Sequence, residues 1–490
     1  MPICDKNLSF KECEIELLRH AVDDAEKIQA KELVMTTEIK DLIDIVEDFL
    51  VKKKLICYGG TAINNILPKE DQFYNKEMDI PDYDFFSPNP INDAIELADI
   101  YHKKGFDEVE AKAGAHFGTY KVFVNFIPIA DITYLNKELY DNIFKERITV
   151  KGISYTPPNF LRMSMYLELS RPKGDVSRWE KVLKRLILLN KNYPLRSGEC
   201  SKIDIQRLFD DISLESLEEQ KKIYFILRET FIDQGLVFFG AYANSLYLEK
   251  LPQEKRHSYI PDFDILSEHP EESCKIVKEQ LQNAGIKGIV IKKKEKIGEL
   301  IDEHYEIKVG KETVAFIYKP NACHSYNSIK KDGKTIRIAS VNTMFSFFLT
   351  FMYSNRKYFD KERILCMCDT LFKIQQKNRL KQRGIMKRFP LECYGKQVTR
   401  EQIRSEKSKK YMELQNKKNS REYKQWFLRY VPKEGAKRMK YNFPNFTKTK
   451  TRTKTRTKTP TKSKRHTKTK QKNKTKGGNK KQINKKTRKR

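Results

Sequence analysis

The sequence predicts an α+β chain of two tandem units, each a mixed β-sheet with flanking helices, the second a degenerate copy of the first. A basic, disordered C-terminal tail follows. Three observations predict this. Residues 58–90 contain YGGTAINNIL and then IPDYDFFSPNP, and residues 239–270 contain FGAYANSLYL and then IPDFDILSEHP. Further on, Ala130 matches Ala315, Ile153 matches Ile338 and Arg178 matches Arg363, all at one offset, which marks a duplication and not a short-period repeat array. From residue 447 the chain turns into a Lys/Thr alternation with almost nothing apolar to bury.

In chain order, residues 1–50 read as an N-terminal helical segment, because Ile39, Leu42, Ile43, Val46, Phe49 and Leu50 fall at helical spacing. Residues 51–190 form the first unit. LICYGG reads as a strand entering a turn, Pro81 to Phe86 as a strand, Lys121 to Thr133 as β-rich, and Arg178 to Asn190 as a helix. Residues 191–235 read as a helical linker, and 236–376 repeat the first unit. Residues 377–446 are basic with interleaved aromatics, and 447–490 form the tail.

Composition narrows the partners. The net charge is +32, and the tail holds 21 Lys and Arg with no Asp or Glu, leaving 76 basic against 65 acidic residues in the body. Polyanions, nucleic acid before membrane, are the partner class this implies. No apolar run is long enough to span a bilayer, and the start, MPICDKNLSF, reads as cytosolic. The nine cysteines form no Cys-x-x-Cys pair and read as reduced, buried thiols. The eight histidines show no ligand spacing.

The chemistry concentrates in the first unit. Asp82 and Asp84, two apart on a strand, share a face. Adjacent carboxylates stay ionised beside a cation, and oxygen ligands suit Mg2+ or Mn2+. Asp131 sits in PIADIT, where Ile129, Asp131 and Thr133 share a face, and supplies a third carboxylate for a two-metal site. Gly59, Gly60 and Thr61 open a short helix-like run whose free N–H groups suit a triphosphate. The pattern is not a Walker loop. In the second unit Ala241 replaces Gly60, Tyr242 replaces Thr61, Phe316 replaces Asp131 and Cys366 replaces Lys181, while Asp262 and Asp264 remain. Transfer chemistry is expected from the first copy alone.

Gly-Gly, then Asp-x-Asp, then a distant Asp resembles the signature of the DNA polymerase beta-like nucleotidyltransferases. The wider wording, YGGTAINN, IPDYDFFSP, IADIT and LSRPKGDVSRWEKVLKRL, resembles the poly(A) polymerase catalytic subunits of large cytoplasmic DNA viruses of the giant-virus and asfarvirus kind, over roughly residues 1–440. Twenty-one residues separate Gly60 from Asp82, a longer spacer than is usual in the superfamily. The resemblance implies template-independent addition of AMP from ATP to an RNA 3′ end with release of pyrophosphate. Asp82 and Asp84 would then hold both metals, Asp131 would complete the metal beside the RNA 3′ end, and Gly59, Gly60 and Thr61 would cradle the phosphates. Arg178 and Lys181, at i and i+3, are further candidates for the triphosphate. Tyr394, Tyr423, Trp426 and Tyr430 are candidates for stacking single-stranded RNA bases. The tail adds salt-dependent attraction to RNA. A homodimer, a viral processivity partner and a self-sufficient enzyme stay open. The expected location is the host cytoplasm at the viral factory, and the virion. Two alternatives remain: another terminal ribonucleotidyltransferase (uridylyl or CCA-adding), and a non-catalytic RNA-binding protein.

Overall fold

The computed structural model describes residues 9–34, 37–74, 81–195, 200, 214–249, 262–356 and 358–433. The expected tail, residues 447–490, lies outside them. The N-terminal segment forms two helices, α1 (Phe10–Val34) and α2 (Thr37–Lys53). The apolar face read from the sequence packs α2 into the core through Ile39, Leu42, Val46 and Phe49.

The first half runs β1 (Ile56–Cys57), α3 (Gly59–Ile66), β2 (Tyr83–Ser87), α4 (Pro90–Lys103), β3 (Val109–Ala113), β4 (Thr119–Val124) and β5 (Ile127–Tyr134). It continues with α5 (Lys137–Lys145), β6 (Ile148–Val150), β7 (Ile153–Tyr155), α6 (Pro158–Leu169) and α7 (Trp179–Asn192). The second half runs α8 (Leu214–Asp233), β8 (Val237–Phe239), α9 (Gly240–Leu248), β9 (Phe263–Leu266), α10 (Pro270–Asn283), β10 (Ile289–Lys294), β11 (His304–Val309) and β12 (Glu312–Tyr318). It ends with β13 (His324–Lys331), β14 (Lys334–Ala339), α11 (Val341–Phe351) and α12 (Lys361–Lys377). The remaining elements are β15 (Cys393–Tyr394), α13 (Arg400–Leu414), α14 (Arg421–Phe427) and β16 (Arg429–Tyr430).

Two eight-stranded mixed sheets result. Their orders are β16-β3-β4-β5-β2-β1-β7-β6 and β10-β11-β12-β9-β8-β14-β13-β15. Strand for strand, the second repeats the first over seven positions. The eighth differs: β16 extends the first sheet beyond β3, whereas β15 extends the second beyond β13, at the opposite edge. Both added strands come from residues 377–446. That stretch, expected from the sequence as an RNA-binding segment, lends a two-residue strand to an edge of each sheet, which an exposed edge strand otherwise leaves open.

The halves share a core. Helix α11 is buried along its whole length and packs on α6, with Tyr166 stacked on Phe345 at 4.4 Å between ring centroids. A helix buried on every side has no solvent face to present and so sits between layers.

The cysteines correct the sequence reading. Cys200 bonds Cys366, and Cys323 bonds Cys393, while Cys57, Cys274 and Cys368 are buried free thiols. The bonded pairs lie 166 and 70 residues apart, so no local spacing reveals them. The second bond joins β15 to the residue preceding β13.

Candidate active site

Strand alternation builds the site. Tyr83 and Phe85 point into the core, so Asp84 points to the opposite face of β2. In the parallel pairing of β2 with β5, Asp84 stands directly beside Asp131. Asp82 lies just ahead of β2, at the exposed lip of the cleft. Its carboxyl is raised above the ordinary range by the water that neighbouring groups displace and then by the Asp131 charge, against the pull of Lys121. Asp84 is pushed up to about 7 by burial first, then by Asp82 and Asp131, with Lys121 and Arg178 opposing. Three carboxylates repelling one another across one cleft is the electrostatic condition that a bound cation relieves.

The turn before α3 is fitted to these carboxylates. Gly59 has φ +74°, and a Cβ there would come within 2.6 Å of the Asp84 carboxylate. Both the backbone conformation and the space require glycine. A Cβ on Gly60 would meet the Tyr74 hydroxyl and the Arg185 guanidinium. The N-terminus of α3 therefore faces a cation and the carboxylates together. Thr61 is buried, and its hydroxyl donates to the carbonyl of Asp82 at 2.8 Å. That side chain, expected to line a phosphate cradle, ties α3 to the carboxylate loop.

Arg178 and Lys181 do not both lie on one helix, contrary to the sequence reading. Arg178 ends a 3-10 turn, Val176–Arg178, just before α7, and pairs with Glu168 at 3.2 Å. Its charge still reaches Asp84. Lys181 is exposed on α7. One turn beyond it, Arg185 reaches the Gly-Gly turn, donating to the Tyr74 hydroxyl at 2.7 Å and lying over the Phe73 ring at 4.7 Å. Sequence reasoning missed Arg185; the signal was its i+4 spacing from Lys181, on the flank of the buried Val182, Leu186 and Leu189.

The second missed residue is Lys121, on β4. It is paired across the sheet with Asp131, and its ammonium donates to Asp131 Oδ2. The other oxygen of that carboxylate is buried with no hydrogen-bond partner. Among the described residues no group of three or more His, Cys, Asp or Glu side chains is gathered closely enough to hold a metal ion. The donor set nevertheless fits a hard divalent cation: oxygen-only, mutually repelling, with an orphaned Asp131 oxygen. Lys121 supplies part of the missing positive charge.

The aromatic candidates scatter. Tyr394 lies on β15 in the second sheet, its hydroxyl accepting from the Glu268 N–H at 3.3 Å. Tyr423 packs on Phe427, Trp426 on Phe117, and the Tyr430 hydroxyl donates to Asp99 at 2.5 Å. Tyr394 and Tyr430 are half-buried parts of sheet edges, so the four do not make one stacking surface. A cavity of about 610 Å³ opens between α7 and α12, lined by Leu186, Phe372 and Arg388, and holds none of the three carboxylates.

In the second half, the corresponding parallel pairing puts Phe316 beside Asp264. Gly240 repeats the Gly59 geometry, with φ +71° and the Asp264 carboxylate where a Cβ would stand. Phe316 is fully buried and stacks on Tyr358 at 5.1 Å. Tyr242 is also buried, its hydroxyl accepting from Arg228 at 3.1 Å. Asp262 and Asp264 are both buried.

Fold and site together define an α+β protein with one open, acidic cleft beside a glycine turn, and a second cleft filled with aromatic side chains. Residues 44–175 of the chain match the family described as Poly(A) polymerase catalytic subunit. That segment contains the glycine turn and all three carboxylates, so the resemblance read from the sequence is borne out. A poly(A) polymerase catalytic subunit of African swine fever virus is 36% identical over 174 residues, covering 34% of this chain and 36% of its own length. One from Acanthamoeba polyphaga mimivirus is 28% identical over 317 residues, covering 60% of this chain and 51% of its own length. The chain thus spans about a third to a half of the length of the curated relatives it matches. The crystal structure of the Megavirus polyadenylate synthase superposes with a TM-score of 0.71 at 20% identity, covering 84% of this chain and 86% of that one, and shares its fold.

Proposed function

We propose that this chain is a template-independent RNA adenylyltransferase, extending an RNA 3′ end with AMP from ATP and releasing pyrophosphate. The observation that carries this is the registered pair Asp84 and Asp131, with Asp82 at the lip, set against the glycine turn of α3. The match over residues 44–175 and the names of the viral relatives supply the choice of RNA and ATP.

In this reading Asp82, Asp84 and Asp131 hold Mg2+ or Mn2+. The metal would supply Lewis-acid stabilisation of the attacking 3′-hydroxyl and of the departing pyrophosphate. The protein's own share is positional. The N–H groups that open α3 at Gly59 and Gly60 face the triphosphate, and Arg185, with Arg178 beyond it, balances its charge. Gly59 lets the backbone approach without displacing Asp84. Thr61 fixes the distance between turn and carboxylates by holding the Asp82 carbonyl. Lys121 holds the Asp131 carboxylate in place across the sheet. In-line displacement needs little covalent help from the protein, so positioning and charge account for most of the rate.

The second half keeps the fold and is filled at its centre by Phe316 and Tyr358, and we assign it no transfer chemistry. No helix among the described residues is long and apolar enough to cross a membrane. The reading is tested with purified protein, a labelled RNA primer and each NTP separately, the wild type beside Asp82→Ala. Extension with ATP alone, abolished in the variant, supports it. Extension with UTP, or with CTP and ATP together, would favour another terminal transferase, and none with any NTP a binding protein.

A further inference from the structure

The pairing of Asp84 with Asp131 is the start of a longer row. Across the sheet, Asp131 stands opposite Lys121, Lys121 opposite Lys112, and Lys112 opposite Arg429. Directly opposed residues point to the same face of a sheet, so five strands present one line: two carboxylates, then three cations. Side-chain exposure rises along it, from 17% at Asp131 through 36% at Lys121 and 43% at Lys112 to 82% at Arg429. The line therefore leads from the acidic cleft to open solvent. Strand spacing makes Lys121 to Arg429 about 10 Å, the span of a short stretch of backbone and not of a single phosphate.

Resting on the reading above, we propose that this row is the track for the RNA primer, with Lys112 and Arg429 holding backbone phosphates just upstream of the reacting 3′ end. Direction argues for RNA over the incoming nucleotide. The glycine turn of α3 and Arg185 lie on the β1 side of Asp84, whereas the cation row leaves on the β5-β4-β3 side. In an in-line transfer the attacking and leaving oxygens lie on opposite sides of the phosphorus. With the triphosphate on one side of the carboxylates, the primer approaches from the other. Phe123, two residues from Lys121 on the same face, floors the track, with the Lys112 ammonium 3.9 Å from its ring centroid.

The row has one brake. Glu110 accepts from Lys112 at 3.2 Å and from Arg429 at 2.8 Å, so a primer phosphate must compete with it. Arg429 arrives on β16, which gives that edge strand a task beyond closing the sheet. The second sheet lacks the row: its matching line reads Asp264, Phe316, Glu306, Lys292.

The test is RNA binding to the full chain, by fluorescence anisotropy of a single-stranded oligoribonucleotide across a salt series, with the apparent KM for ATP read in parallel. Lys112→Met with Arg429→Met should weaken RNA binding roughly tenfold and flatten the log–log salt slope by about 0.7 for each cation removed. The KM for ATP should hold. Glu110→Gln should tighten RNA binding, a gain that misfolding does not produce. Lys292→Met, at the same register of the second sheet, should change neither. Unchanged RNA affinity in the double variant, no tightening in Glu110→Gln, or a raised KM for ATP with RNA affinity intact would overturn the track, the last by assigning the row to the triphosphate. If the wild type binds RNA through these residues yet adds no nucleotide, the track stands and the activity reading falls. If the wild type binds no RNA, both fall.

Discussion

Where Asp131 stands beside Asp84 in the first sheet, Phe316 stands beside Asp264 in the second. Where Lys121 faces Asp131, Glu306 faces Phe316. The glycine that opens each helix keeps a positive φ and a close approach to its aspartate, closer in the second copy. Backbone geometry has thus been held in both copies, while the side chains that set charge have changed in one. Asp84 and Asp131 line a cleft open to solvent; Asp262, Asp264 and Phe316 are buried, with Tyr358 stacked on Phe316. A sheet can keep its register without its chemistry, because register depends on the inward face and chemistry on the outward one.

The sharpest way to break this contrast is to write the first copy into the second. Phe316→Asp restores the third carboxylate but buries a charge beside Tyr358 and Asp264. It should destabilise the chain by roughly 3–5 kcal/mol and add no activity. Calorimetry and primer extension read both effects, and a stable variant with increased incorporation would show that the second cleft needs only one residue. Gly59→Ala and Gly240→Ala sharpen it next. Each forces a Cβ into the left-handed region, at about 1–2 kcal/mol. Both should lower the thermal midpoint, Gly240→Ala by more because the Asp264 side chain stands closer, with only Gly59→Ala also lowering kcat. Arg185→Gln, at the first turn, should raise the KM for ATP about tenfold with less effect on kcat; Arg228→Gln, beside Tyr242 in the second half, should leave both unchanged.

The smallest expected effect is on stability against pH. Asp84 has its folded pKa raised from the ordinary carboxylate range to about 7. The folded state then binds more protons than the unfolded one between those values, so stability falls as pH rises through that window and levels off above it. In chelator-treated protein this lowers the thermal midpoint at pH 8 relative to pH 5 by about 1–2 °C, after allowing for the partial exposure of the cleft. Mg2+ should restore it in the wild type and not in Asp84→Ala. A midpoint that rises with pH through this window would contradict the arrangement.

Local pattern made the carboxylates legible. Asp82, Asp84 and Asp131 sit on short alternating stretches, and strand periodicity alone says which face each takes. The glycine turn was legible for the same reason, and the constant offset between the copies predicted that Phe316 would occupy the place of Asp131. What could not be read was whatever depends on which strands become neighbours. Lys121 and Lys112 are ordinary surface lysines until β4 and β3 are laid beside β5. Arg429, 298 residues beyond Asp131, joins the row only through an edge strand of two residues. Arg185 was hidden by a smaller error, the 3-10 turn that leaves Arg178 ahead of α7. The two long-range cysteine pairs escaped in the same way. Tyr394 and Tyr430 looked like stacking platforms because composition does not distinguish an exposed ring from one that closes a sheet edge.

The central claim is that one of the two copies carries the chemistry. The most direct test compares ATP incorporation into an RNA primer by Asp82→Ala and by the double variant Asp262→Ala, Asp264→Ala, each checked for folding by its thermal midpoint. The first should lose at least ~100-fold, and a folded second should stay within about twofold of wild type. A double variant that stays folded and loses incorporation as fully as Asp82→Ala would contradict it.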